Sequence, residues 1–66
     1  MRTGTVTSFD AAEGLGEIAG DDGRVYPFQC MEIADGSRTI ALGAAVTFDV
    51  LAKLGRYEAA RITTAP

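Results

Sequence analysis

Gly14-Leu15-Gly16-Glu17-Ile18-Ala19-Gly20-Asp21-Asp22-Gly23-Arg24-Val25-Tyr26-Pro27-Phe28-Gln29-Cys30 places two short apolar-patterned segments on either side of a dense turn signal, and its reading decides the fold. Asp22-Gly23 suits a tight turn with positive φ, because glycine meets no Cβ penalty there and aspartate bonds its own backbone. Residues 14–19 and 24–30 therefore read as the two strands of a hairpin. On the second strand Tyr26, Phe28 and Cys30 share one face, and Val25, Pro27 and Gln29 the other. Pro27 has no N–H to give to a ladder, so it belongs at a sheet edge or a bulge. Gly14 and Gly16 weaken the first strand and mark a bend or a close backbone approach, which a coiled sheet needs.

The chain on both sides fits the same sheet. Residues 2–9 carry β-branched Thr3, Thr5, Val6 and Thr7 and read as a strand whose alternation slips near Ser8 and Phe9; Asp10 and the polar segment to Glu13 close it. Residues 31–43 contain Asp35-Gly36-Ser37 and Leu42-Gly43 and read as a long connection with one helical turn over 31–34. Residues 45–51 alternate cleanly, with Val46, Phe48 and Val50 inward and Thr47, Asp49 and Leu51 outward. Lys53-Leu54-Gly55-Arg56 turns the chain into a last strand over 57–63, whose Ala60 and Ile62 face the core, and Ala65 and Pro66 form a tail. No window sustains a helical period. Three strands, a long crossing and two more strands in 66 residues predict one all-β domain over 1–66, a five-stranded antiparallel Greek-key barrel.

Size and composition bound the chemistry. A chain this small buries only about 60% of its unfolded surface, so its site is expected on a surface, a shallow groove or a loop cluster. With no histidine and one cysteine, neither a Ser-His-Asp nor a Cys-His arrangement nor a zinc site is expected, and Cys30 reads as a small buried hydrophobe. Asp21 and Asp22 read as turn formers. The glycines at 14 and 16 match the letters of a dinucleotide fingerprint, but strand-like residues follow where that motif needs a helix. The expectation is a non-enzymatic domain without cofactor, metal or small-molecule substrate. A single thiol, the lack of a membrane-length apolar run and the polar residues after Met1 place it in the cytoplasm, away from any membrane. Nine carboxylates against six cations give a net charge of −3, so a polyanion is reached only by segregating those cations. Lys53, Arg56 and Tyr57 are the one local mixture of cations with an aromatic ring, a combination suited to contacts.

Gly4-Thr5-Val6-Thr7-Ser8-Phe9-Asp10, Gly14-Leu15-Gly16-Glu17-Ile18, the acidic turn, Val25 to Cys30 followed by Ile33, Ser37-Arg38-Thr39-Ile40, Leu42-Gly43, Val46-Thr47-Phe48-Asp49-Val50 and Ala59 to Ile62 resemble, in order and spacing, the bacterial cold-shock proteins. These are small OB-fold barrels that bind single-stranded RNA and DNA, and the resemblance covers essentially the whole chain. It implies the OB-fold and a regulatory nucleic-acid-binding role. The family stacks bases on aromatic rings, but here Ser8, Leu15, Glu17, Pro27, Cys30 and Ser37 stand at ring positions and Gln29 at a histidine position. Only Phe9 keeps its ring, and Thr7 and Glu13 stand where the family has lysines. Each lost platform is worth about 1–3 kcal/mol, so binding is expected to be weak. The resemblance then implies a reduced surface in which Phe9 stacks beside Leu15 and Pro27, Gln29 bonds a base edge, and Arg38, Lys53 and Arg56 meet phosphates, with Tyr57 beside them. The alternative is a protein–protein interaction module that kept the barrel and lost nucleic-acid binding.

Overall fold

In the computed structural model, which describes residues 1–65, the strands are β1 (Arg2–Asp10), β2 (Leu15–Gly20), β3 (Val25–Gln29), β4 (Ala45–Lys53) and β5 (Arg56–Thr64), with a 3₁₀ turn over Cys30–Glu32. They form one sheet in the order β3-β2-β1-β4-β5, every pair antiparallel. β1 is central because it pairs with β2 on one side and β4 on the other, and the connection over residues 33–44 carries the chain from one edge back across the barrel. This is the expected Greek-key arrangement. The sheet curls until β3 and β5 lie side by side. A single parallel bridge joins Ile33 to Ile62, and the Ala34 N–H donates to the Ile62 carbonyl at 2.8 Å. Pro27 sits on the edge strand β3, where its missing N–H costs least. Among the described residues no helix is long and apolar enough to cross a membrane.

The core is Val6, Ile18, Tyr26, Phe28, Ile33, Val46, Phe48, Ala59 and Ile62, with Phe9, Cys30, Ile40, Ala44 and Val50 half-buried against it. Tyr26 and Phe48 pack as tilted rings 5.2 Å apart. Several strand ends fall a residue or two from the sequence reading. Cys30 leaves β3 and opens the 3₁₀ turn, which begins one residue early, so the thiol is half-buried rather than buried. Ala65 is not a loose tail, because its N–H donates to the Ala45 carbonyl at 2.8 Å; Pro66 lies outside the described residues.

Two register shifts re-aim side chains. Val6 pairs with Ile18 but Ser8 with Glu17, which makes Thr7 an extra residue in β1. This bulge is the slip visible in the sequence, and it turns Ser8 out and Phe9 in. The second shift lies opposite Thr47 and Asp49, where β5 carries the extra residue and Arg61 takes a φ of 51°. Strict alternation found Ala60 and Ile62 but not Ala59, which the shift also buries. Gly16 meets its expected close approach: a Cβ there would fall 2.6 Å from both Phe28 Cζ and the Ser8 carbonyl oxygen.

The β2–β3 turn is held by Asp22. Its carboxylate accepts from the Arg24 N–H at 2.9 Å, the Tyr26 hydroxyl at 2.5 Å and the Arg2 guanidinium at 3.2 Å. The Tyr26 hydrogen bond, followed by that of the Arg24 backbone, holds the Asp22 carboxyl below its ordinary value of 3.8. The same bond raises the Tyr26 phenol above 10.0. A lowered carboxylate stabilises the fold above its unfolded value, and that contribution is lost as pH falls through the folded one. A raised phenol stabilises below its unfolded value, and that is lost as pH rises through the folded one. Urea melts across pH should therefore show wild type exceeding Tyr26→Phe most on the plateau between these values, with the gap closing at both ends. A gap independent of pH would contradict the assignment.

The β4–β5 turn carries a local misfit. Lys53 pairs with Arg56, leaving a two-residue loop in which Leu54 has φ 48° and Gly55 φ 81°. Such a turn favours asparagine first, and a left-handed leucine costs roughly 1–2 kcal/mol. Leu54 is wholly exposed, so no burial offsets that cost. Leu54→Asn should stabilise by about 1 kcal/mol, raising Tm by roughly 4–8 °C in a thermal melt. An unchanged or lower Tm would contradict the strain.

Candidate functional site

The outer face of β2 and β3 is set by pairing. Gly16 and Ile18 point inward and are buried, so Leu15 and Glu17 point outward. Ser8, Glu17 and Pro27 lie in one row across β1, β2 and β3, and Asp10, Leu15 and Gln29 in the next. Leu15 is half exposed, Pro27 is partly exposed and Gln29 is exposed. The curl of the barrel brings Arg56, the first residue of β5, against this face. Ser8, Leu15, Glu17, Pro27 and Arg56, floored by Gly16 and Phe28, line a shallow groove of about 270 Å³.

Of the expected site residues, Leu15, Pro27, Gln29 and Arg56 come together on or beside this groove. Phe9 does not line it. Its ring is half-buried and stacks on Phe28, centroids 6.0 Å apart and planes within 4°. Arg38 is exposed on the long connection with a φ of 59° and also does not line the groove. The Lys53, Arg56 and Tyr57 mixture is split by strand alternation. Both cations turn to Glu58, with Lys53 Nζ at 3.6 Å and an Arg56 guanidinium nitrogen at 3.7 Å. Tyr57 instead lines a second groove of about 480 Å³ with Arg2, Asp22, Arg24, Tyr26 and Val50. Arg2 and Arg24 carried no sequence signal, since only the sheet's curl brings the start of β1 and the β2–β3 turn to β5.

Electrostatically the first groove is mixed, with one guanidinium and one carboxylate at a partly apolar surface. Such an arrangement is chemically able to orient a partner through hydrogen bonds and one charge contact. Among the described residues no group of three or more His, Cys, Asp or Glu side chains is placed to hold a metal ion.

No protein-family model matches the chain, and no curated protein sequence matches it. Among solved structures, the chain is similar to a Drosophila Unr structure described as CSD456, with a TM-score of 0.84 and 30% sequence identity over 98% of this chain. The match covers 26% of that structure's chain, so this chain spans about a quarter of its length. The likeness establishes the fold as that of a cold-shock domain.

Proposed function

We propose that this chain is a non-catalytic, cytoplasmic regulator of the cold-shock type that binds single-stranded RNA or DNA weakly through the outer face of β2 and β3. The observation that carries this reading is the meeting of Arg56 with Leu15 and Pro27 in one groove. Single strands are held where flat surface for bases lies beside a cation for the backbone. Leu15 and Pro27 supply that surface, Gln29 bonds a base edge, and Arg56 meets a phosphate, with Lys53 at the end of β4 and Arg38 on the long connection as further phosphate contacts. Phe9, committed to Phe28, adds no more than a ring edge. The binding is weak because no aromatic ring stands on the face and Glu58 already holds both nearby cations. A second reading as a protein-interaction module rests on Tyr57, which is 57% exposed beside Arg2 and Arg24, since tyrosine and arginine dominate contact hot spots.

Fluorescence anisotropy with a labelled single strand across a salt series tests the first reading. Each neutralised phosphate adds a slope of about −0.7 to the plot of log affinity against log salt. Arg56→Ala should weaken binding for every sequence tried and make that slope shallower by about 0.7. A slope unchanged by the substitution would remove Arg56 from the interface.

A further inference from the structure

Glu17 is the groove residue that the proposed function leaves unexplained, because a carboxylate there repels the phosphates of the strand. It stands at the centre of the outer face, exposed, with Ser8 opposite on β1 and Pro27 opposite on β3. Among the described residues it forms no ion pair, since Arg56 across the groove is turned to Glu58. Its two oxygens are therefore acceptors without a charge partner, beside the apolar surface of Leu15 and Pro27.

A carboxylate accepts hydrogen bonds and cannot donate them. Whatever lies against Glu17 must offer N–H or O–H donors, which excludes phosphate. The bases of a single strand expose their Watson–Crick edges, and these differ in what they offer. Uracil and thymine present one N–H between two carbonyl oxygens, so two acceptors would face the carboxylate. Cytosine and adenine present one amino group beside an unprotonated ring nitrogen. Guanine presents two adjacent donors, N1–H and N2–H, at a spacing that matches the two oxygens of a carboxylate. It leaves O6 for a donor, and the Gln29 amide and Ser8 hydroxyl occupy the same face.

We infer that Glu17 selects guanine in the single strand bound on this face, pairing bidentately with its Watson–Crick edge. The inference rests on the nucleic-acid reading above and adds a base preference to it. A good bidentate pair discriminates by roughly ten-fold or more, and here that falls on a weak basal affinity.

The test uses DNA hexamers of thymidine with a single central guanine, cytosine or adenine, and an all-thymidine hexamer. Binding is read by anisotropy on the full chain and on Glu17→Gln, with Asp49→Asn as a charge-matched control outside the groove. The expected result is about ten-fold tighter binding of the guanine hexamer by wild type and Asp49→Asn. In Glu17→Gln that preference should fall to about three-fold or less, while the all-thymidine hexamer binds somewhat more tightly. If wild type binds all four hexamers alike, or if the preference survives in Glu17→Gln, the inference is overturned and the binding reading stands. If neither these hexamers nor their RNA counterparts bind, both are overturned.

Discussion

The double variant Leu15→Phe, Pro27→Phe is expected to bind single strands roughly thirty-fold more tightly than wild type. The two positions are diagonal neighbours on the outer face, since Leu15 pairs with Gln29 and Glu17 with Pro27. Side chains at such positions are within reach of each other and of one ligand. Each new ring offers a stacking platform worth about 1–3 kcal/mol, and two at the low end give about 2 kcal/mol, which is the stated factor. The fold should accept both changes. Leu15 is already half exposed, Pro27 lies on an edge strand, and phenylalanine has the higher strand propensity. Titration calorimetry on the folded variant checks the prediction, and an affinity equal to wild type would show that bases do not lie across these residues.

Phe28→Ala is expected to unfold the chain at room temperature. Phe28 is 1% exposed, fills the core against Gly16 and carries the Phe9 ring on its other side. Truncating a buried phenylalanine costs about 3–5 kcal/mol, and a core in a domain this small rarely supplies more than about 3–5 kcal/mol in total. Because the Gly16 backbone forms part of the wall around the ring, the cavity cannot close by rotation of a side chain alone. The proton–nitrogen NMR spectrum of the variant should collapse to the dispersion of an unfolded chain. Met31→Ala, at a residue 68% exposed, should leave stability within about 0.5 kcal/mol of wild type. A folded Phe28→Ala with stability reduced by less than about 1 kcal/mol would contradict this account of the core.

The fold was legible wherever the signal is local. Asp22-Gly23 announced its hairpin because two adjacent residues carry the turn chemistry, and Val46 and Phe48 announced theirs because alternation repeats within one strand. Features that depend on two strands meeting were less legible. The slip at Ser8 and Phe9 was visible, yet its consequence was not, because the direction in which Phe9 turns depends on where Thr7 bulges against β2. Ala59 was missed for the same reason on β5, where the left-handed residue is Arg61 and no glycine marks the spot. On the outer face, Leu15, Pro27 and Gln29 are neighbours because strand pairing fixes them, whereas Phe9, expected beside them, turns in to stack on Phe28. The approach of Arg56 and the departure of Tyr57 to another groove arise from the curl that closes β5 against β3, and no local pattern encodes it. Glu17 was visible only as a residue standing where the family has a ring. Its lack of an ion-pair partner depends on Arg56 turning to Glu58, which no local pattern encodes.

The most direct test of the outer-face assignment is a titration of the isotopically labelled chain with short single-stranded RNA and DNA, followed by proton–nitrogen NMR at low and moderate salt. The expected result is a set of shifts centred on the amides of Ser8, Leu15, Glu17, Gln29 and Arg56 that saturates at lower ligand concentration when salt is low. No shift at millimolar ligand, or shifts confined to Arg24, Tyr26 and Tyr57 around the second groove, would contradict it.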